Sequence, residues 1–331
     1  MDKIKIGISI GDPNGVGLEI ILSVFEKKDL FKHVVPILFG PKKIIDFQKK
    51  HFNKKTELNY IKNTNQLKEG FLNIIQTATH DYNVEFGVQS KEAGIISYES
   101  LSKCTDAIND GMVEAIITAP INKKAIQSKR FKFPGHTDFL EDKFEGKALM
   151  FMVSKDLRIA LVTDHVPINS VSKMISSKRL IIKINQVLYS LKNDFGIVNP
   201  KIAVLGLNPH SGDDGVIGSE DDDILKPAIS KSKKDDIVDG PFAADGFFAS
   251  KKYKEYDAII AMYHDQGLIP FKTLTFGNGV NFTAGLNIIR TSPDHGTAFD
   301  IAGKGTAISN SFKAAILESF RISKNRSYKL I

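Results

Sequence analysis

The sequence predicts an α/β protein built on a mixed, mostly parallel sheet. Two observations carry this. Apolar runs rich in Ile and Val alternate with amphipathic stretches of helical period, which is the strand–helix–strand rhythm of parallel sheets. One place breaks the rhythm: in "ALMFMVSKDLRIALVT" two β runs flank Ser154, Lys155 and Asp156. That pattern reads as a hairpin, so the sheet is expected to contain an antiparallel pair. At 331 residues the chain has room for two core-bearing domains or one large one.

The elements follow in order. "KIKIGISI" is the first strand, and it runs into "GDPNGVGLEI", a Gly-rich turn that opens the helix "GLEIILSVFEKK". Gly11, Gly15 and Gly17 are four and two apart, which misses the dinucleotide fingerprint, and the Lys-Ser/Thr pair of a P-loop is missing too. "VVPILFG", the helical "ISYESLSKCTDAIND" and the strand "EAIITAP" come next. In "FPGHTDFLED", Gly135, His136 and Thr137 open a helix whose first amides suit an anion. An ordinary start capped by Thr137 or Asp138 explains the same residues. After the hairpin, "SSKRLIIKINQVLYSLKNDFG" sets Leu180, Ile181, Ile184, Val187, Leu188 and Leu191 on one stripe, and Gly196 and Pro200 stop it. "KIAVLGL", "YDAIIAMY" and "NIIRTS" are further strands, and "SNSFKAAILESFRISK" is a last helix. No repeat or linker marks a domain boundary.

Composition narrows the function. A hydrophobic share of 42% with 25% charged residues is that of a soluble globular protein. The single Cys104 excludes an intrachain disulfide and a thiolate zinc cluster. It has no nearby His, and no Ser-x-Gly elbow occurs, so covalent nucleophilic catalysis is unsupported. The net charge of +7 is spread among Asp and Glu without any nucleic-acid-binding pattern, which favours a local positive pocket for a small anion. Nothing before the first strand reads as a secretion signal, and no apolar run reaches membrane-spanning length. A cytoplasmic enzyme acting without nucleic acid or membrane is expected.

Three β runs end alike, at His165 in "ALVTDHVP", His210 in "VLGLNPHSG" and His264 in "IIAMYHDQG". Ligands collect outside the carboxyl ends of strands in open α/β sheets, so three imidazoles delivered there can share one metal. Asp164, Asp245 and Asp265 are available to orient the rings. Three separate capping or surface residues remain the alternative. After His264, Gly267 is expected to turn the chain. Lys272, Asn281 and Arg290 follow later strand ends and can donate to phosphate or carboxylate. "SPDHGTAFDIAGKGTA" is a second Gly-rich stretch that also misses the nucleotide fingerprints.

Taken together, "GDPNGVGLE", "ITAPINK", "GHTDFLE", "GLNPHSGDDGVIGSE", "AMYHDQGLIPFK" and "GVNFTAGLNIIRTSPDHGTAFDIAGKG" resemble the 4-hydroxythreonine-4-phosphate dehydrogenase family. The match runs in the family's order from Gly11 to beyond Gly305. "HGTAFDIAGKG" is similar to the "HGSAPDIAGKG" of isocitrate and isopropylmalate dehydrogenases, which bind NAD without the usual fingerprint. The Asn that follows this element in those enzymes is replaced here by Ile308.

The resemblance implies two three-layer α/β/α domains with a cleft between them, residues 1–130 with 295–331 and residues 131–294. It implies His165, His210 and His264 as ligands of a divalent metal (zinc, magnesium or cobalt), and His136, Thr137, Lys272, Asn281 and Arg290 as substrate contacts. His295, Gly296 and Thr297 would face NAD or NADP, and Lys272 or Asp245 would move the proton. The implied assembly is a homodimer with the active site at its interface and at least one imidazole, taken as His264, crossing between chains. The implied reaction oxidises 4-phosphohydroxy-L-threonine at C3. The alternatives are a paralogue acting on erythronate or threonate 4-phosphate and a non-redox metal-dependent hydrolase or lyase.

Overall fold

The computed structural model describes residues 3–77, 81–232 and 237–328. In chain order the elements begin with β1 (Ile4–Ser9), α1 (Gly17–Glu26), β2 (Val34–Gly40), α2 (Lys42–His51), β3 (Leu58–Ile61), β4 (Leu72–Gln76), α3 (Lys91–Asn109) and β5 (Ala115–Thr118). Then come α4 (His136–Lys143), β6 (Gly146–Val153), β7 (Arg158–Leu161), α5 (Ile168–Met174), α6 (Ser177–Asn193) and β8 (Lys201–Leu205). The rest are α7 (Lys226–Ser232), β9 (Ile237–Phe242), α8 (Ala244–Ala249), β10 (Ala258–Ala261), α9 (His264–Thr275), β11 (Val280–Leu286), β12 (Arg290–Pro293) and α10 (Asn310–Tyr328). The chain divides into two compact units, residues up to 146 with 286–324, and residues 147–285 with those from 325 on. The divisions thus fall at 146/147 and 285/286, whereas 130/131 and 294/295 were expected. The difference has a physical source. The side chain of Phe139 in α4 packs on Phe131 and Tyr98, and β12 pairs with β5, so His136, Thr137 and Arg290 belong to the first unit.

In the first unit the strands run in the order β3-β4-β2-β1-β5-β12, and every neighbouring pair is parallel. Buried Ala115, Ile116 and Ile117 of β5 show why the sequence is apolar there without alternation: helices cover both faces of such a sheet. Cys104 of α3 is fully buried, and burial pushes its thiol far above the usual range, which leaves it a packing residue.

In the second unit the order is β11-β6-β7-β10-β8-β9. The expected hairpin is present: β6 and β7 pair antiparallel, and the turn closes with Ser154 N donating to Leu157 O at 2.8 Å. β7, β10, β8 and β9 are parallel neighbours. The stripe on α6 faces the core through Leu180, Ile184, Val187, Leu188 and Leu191, and the Ser176 side chain caps the helix by accepting from Arg179 N at 3.2 Å.

One expectation fails here. Gly267 does not turn the chain, because α9 starts at His264 itself and Gly267 lies inside it. A methyl group on Gly267 would sit 2.9 Å from both Ile159 Cγ2 and Leu161 Cδ2 and 3.1 Å from Ala261 Cβ. Gly267 therefore lets the helix lie close on β7 and β10.

Candidate active site

In the first unit β12 places Arg290 beside the end of β5. Arg290 is 3% exposed, and its Nε and Nη2 donate to Thr118 Oγ1 at 3.1 and 2.7 Å. Burial lowers it to about 9, so it stays cationic at neutral pH. His136 opens α4, whose N-cap is Gly135 without a side-chain cap. Its Nε2 is buried and without a hydrogen-bond partner. Burial, then the charges of Arg290 and Lys123, hold the imidazole well below its usual range, so it is neutral. The result is a desolvated cation next to a neutral imidazole and the free amides of a helix start, a setting for an anion.

The two Gly-rich stretches meet in this unit. Val16 N donates to Thr297 O at 3.1 Å, and a methyl group on Gly15 would lie 2.9 Å from that same oxygen. Ala307 N donates to Glu19 Oε1 at 2.8 Å, and His51 Nε2 lies 2.9 Å from Gly303 O. His295, Gly296 and Thr297 stand on this braced loop. His295 Nε2 is buried without a partner, and Ala298 next along holds a φ of +46°. Strain of that kind persists where the surroundings over-determine it.

In the second unit the three imidazoles stand as the sequence suggested, each beyond the carboxyl end of one of the adjacent parallel strands β7, β10 and β8. The loops after β7 and β10 are tied, since Thr163 N and Oγ1 donate to Met262 O at 3.1 and 2.7 Å. That tie brings the rings of His165 and His264 to 5.6 Å between centroids. His264 Nδ1 lies 2.7 Å from Asp265 Oδ1, so Asp265 orients this ring. Gln266 is a strut: its Oε1 accepts from Met262 N at 2.7 Å and its Nε2 donates to Gly206 O at 2.6 Å.

His210 belongs to a different kind of segment. His210, Ser211, Asp213 and Asp214 all have positive φ, between 45° and 54°. The buried Asp221 carboxylate fixes the entry to this loop, accepting from Leu207 N at 2.9 Å and Asn208 N at 3.0 Å. Among the described residues, no group of three or more His, Cys, Asp or Glu gathers within one chain to hold a metal. The structure thus brings His165 and His264 together and leaves His210 out of their group. Lys272 and Asp245 are exposed, in the last turn of α9 and the first turn of α8, and Asn281 is half-buried on β11.

Imidazoles at the rim of parallel strands in one unit, and in the other a buried arginine whose charge reaches the first residue of α4, are features that α/β enzymes use to handle small anions. The chain belongs to the family of the pyridoxal phosphate biosynthetic protein PdxA, whose model matches residues 32–318. It is 41% identical to a 4-hydroxythreonine-4-phosphate dehydrogenase of Bacteroides thetaiotaomicron, over 98% of this chain and 90% of the relative. A protein of Oceanobacillus iheyensis, provisionally named D-threonate 4-phosphate dehydrogenase, is 36% identical over 97% of this chain and 98% of its own. The crystal structure of 4-hydroxythreonine-4-phosphate dehydrogenase from Klebsiella pneumoniae superposes with a TM-score of 0.85 at 32% identity, covering 97% of this chain and 98% of that one.

Proposed function

We propose that the chain oxidises 4-phosphohydroxy-L-threonine at C3 with NAD⁺ (or NADP⁺), giving 2-amino-3-oxo-4-phosphooxybutanoate, which decarboxylates to 3-amino-2-oxopropyl phosphate, in pyridoxal 5'-phosphate biosynthesis. The observation that carries it is the 41% identity to a relative of that name over nearly the whole chain.

His136, Thr137, Lys272, Asn281 and Arg290 contact the substrate in this proposal. His295, Gly296 and Thr297 face the nicotinamide cofactor, which takes up the hydride when bound. The buried, unpartnered Nε2 of His295 suits a polar group of such a ligand.

The imidazoles fit a divalent metal. With Nδ1 directed at Asp265, His264 keeps Nε2 for coordination, and the ring of His165 stands beside it. Imidazole donors favour zinc or cobalt over magnesium. Such an ion supplies Lewis acidity that lowers the pKa of a substrate hydroxyl. Lys272 and Asp245 are the proposed acceptors of the hydroxyl proton.

Because His165 and His264 share one chain side by side, His210 is the imidazole that crosses from a partner, in place of His264. Exposed apolar side chains follow all three stations: Ile168 at 71%, Val216 at 83% and Ile269 at 64%, which suits a protein surface covering them.

D-Threonate 4-phosphate is the second substrate to test, given the Oceanobacillus relative. NADH formation is measured for 4-phosphohydroxy-L-threonine, D-threonate 4-phosphate and D-erythronate 4-phosphate, each with NAD⁺ and NADP⁺. The proposal expects kcat/KM for the first to exceed the others by at least about tenfold, about 1.4 kcal/mol in the transition state. Equal or higher values for a sugar-acid phosphate would overturn it.

A further inference from the structure

We propose that Lys123 is a second cation of the anion site in the first unit, and that with Arg290 and the start of α4 it holds the substrate's phosphoryl group rather than its carboxylate. This rests on the proposed phosphorylated substrate.

Three observations support it. The charges of Lys123 and Arg290 both reach the His136 ring. A methyl group on Gly135 would lie 3.8 Å from Lys123 Cε, which lays the lysine stem over the N-cap of α4. His136 Nε2 is buried there with no partner in the protein. A phosphate monoester carries roughly −1.5 to −2 at neutral pH, and two cations with helix-start amides match it better than they match a carboxylate.

The turn that carries Lys123 is also built to stay in place. Asn122 Oδ1 accepts from Lys124 N at 3.0 Å and from Ala125 N at 2.9 Å. The buried Asp12 carboxylate accepts from the backbone N–H of Asn122 and, at 2.9 Å, from Asn14 N.

The test measures inorganic phosphate and 4-hydroxy-L-threonine as competitive inhibitors and as calorimetric ligands of the full-length protein and its Lys123→Met and Lys123→Arg variants. Lys123→Met should weaken phosphate by about tenfold or more, a charged hydrogen bond's worth, and leave 4-hydroxy-L-threonine unchanged. Lys123→Arg should restore most of the phosphate affinity. Unchanged phosphate affinity in Lys123→Met, equal losses for both ligands, or no phosphate binding by the unsubstituted protein at millimolar concentration would each overturn the proposal. If no phosphorylated acid turns over while phosphate still weakens selectively, the substrate assignment fails and the anion site stands.

Discussion

Asp12 shows what a single buried group contributes. It is fully buried with one carboxylate oxygen unpartnered, and burial raises it to about 6 from 3.8, against the lowering effect of the Asn14 and Asn122 amides. A carboxyl raised on folding prefers its neutral form there. Its contribution is full below the unfolded value and is lost as pH climbs through about 6. A rise of that size is equivalent to roughly 3 kcal/mol between the protonated and ionised forms. Asp12→Asn should therefore flatten the pH dependence: between pH 4 and 7.5 the unsubstituted protein should lose about 2–3 kcal/mol more than the variant in urea unfolding. Identical pH profiles would contradict this. Such residues hide in sequence. Lys123 is one of 45 Lys and Arg residues, and only its position over the α4 start distinguishes it. His165, His210 and His264 were legible because each closes a β run.

At the scale of elements, the sequence revealed strands that are uninterrupted and apolar, such as β2, β5 and β10. It concealed β4, where the buried Asn73 interrupts the run while accepting from Asn59 Nδ2 at 2.8 Å and Lys68 N at 2.9 Å. β9 was hidden by its Gly-Pro pair and β11 by Asn281 and Gly285. α9 runs through Gly267, where a turn is expected from sequence, because close packing on β7 and β10 decides the matter. Gly267→Ala tests that. Alanine gains about 1 kcal/mol of helix propensity, but overpacking against three fixed neighbours costs roughly 1–3 kcal/mol. A net loss of up to about 2 kcal/mol by chemical denaturation is expected, with helix content retained. A stabilised variant would contradict the close approach.

At the scale of the molecule, the two units are each assembled from discontinuous segments, which is why no composition shift marked them. The central proposal also lies at this scale: one metal site would be completed by His165 and His264 of one chain and His210 of another. The direct measurement is activity after subunit exchange between two inactive variants, with exchange confirmed by tagged-subunit pulldown. In a mixed His165→Ala and His210→Ala dimer, one site carries both lesions and the other is whole. Equal mixing should therefore restore activity to about a quarter of the sites. His165→Ala mixed with His264→Ala should restore none, since every site then lacks one of the paired rings. Recovery in the second mixture, or no recovery in the first, would contradict the account.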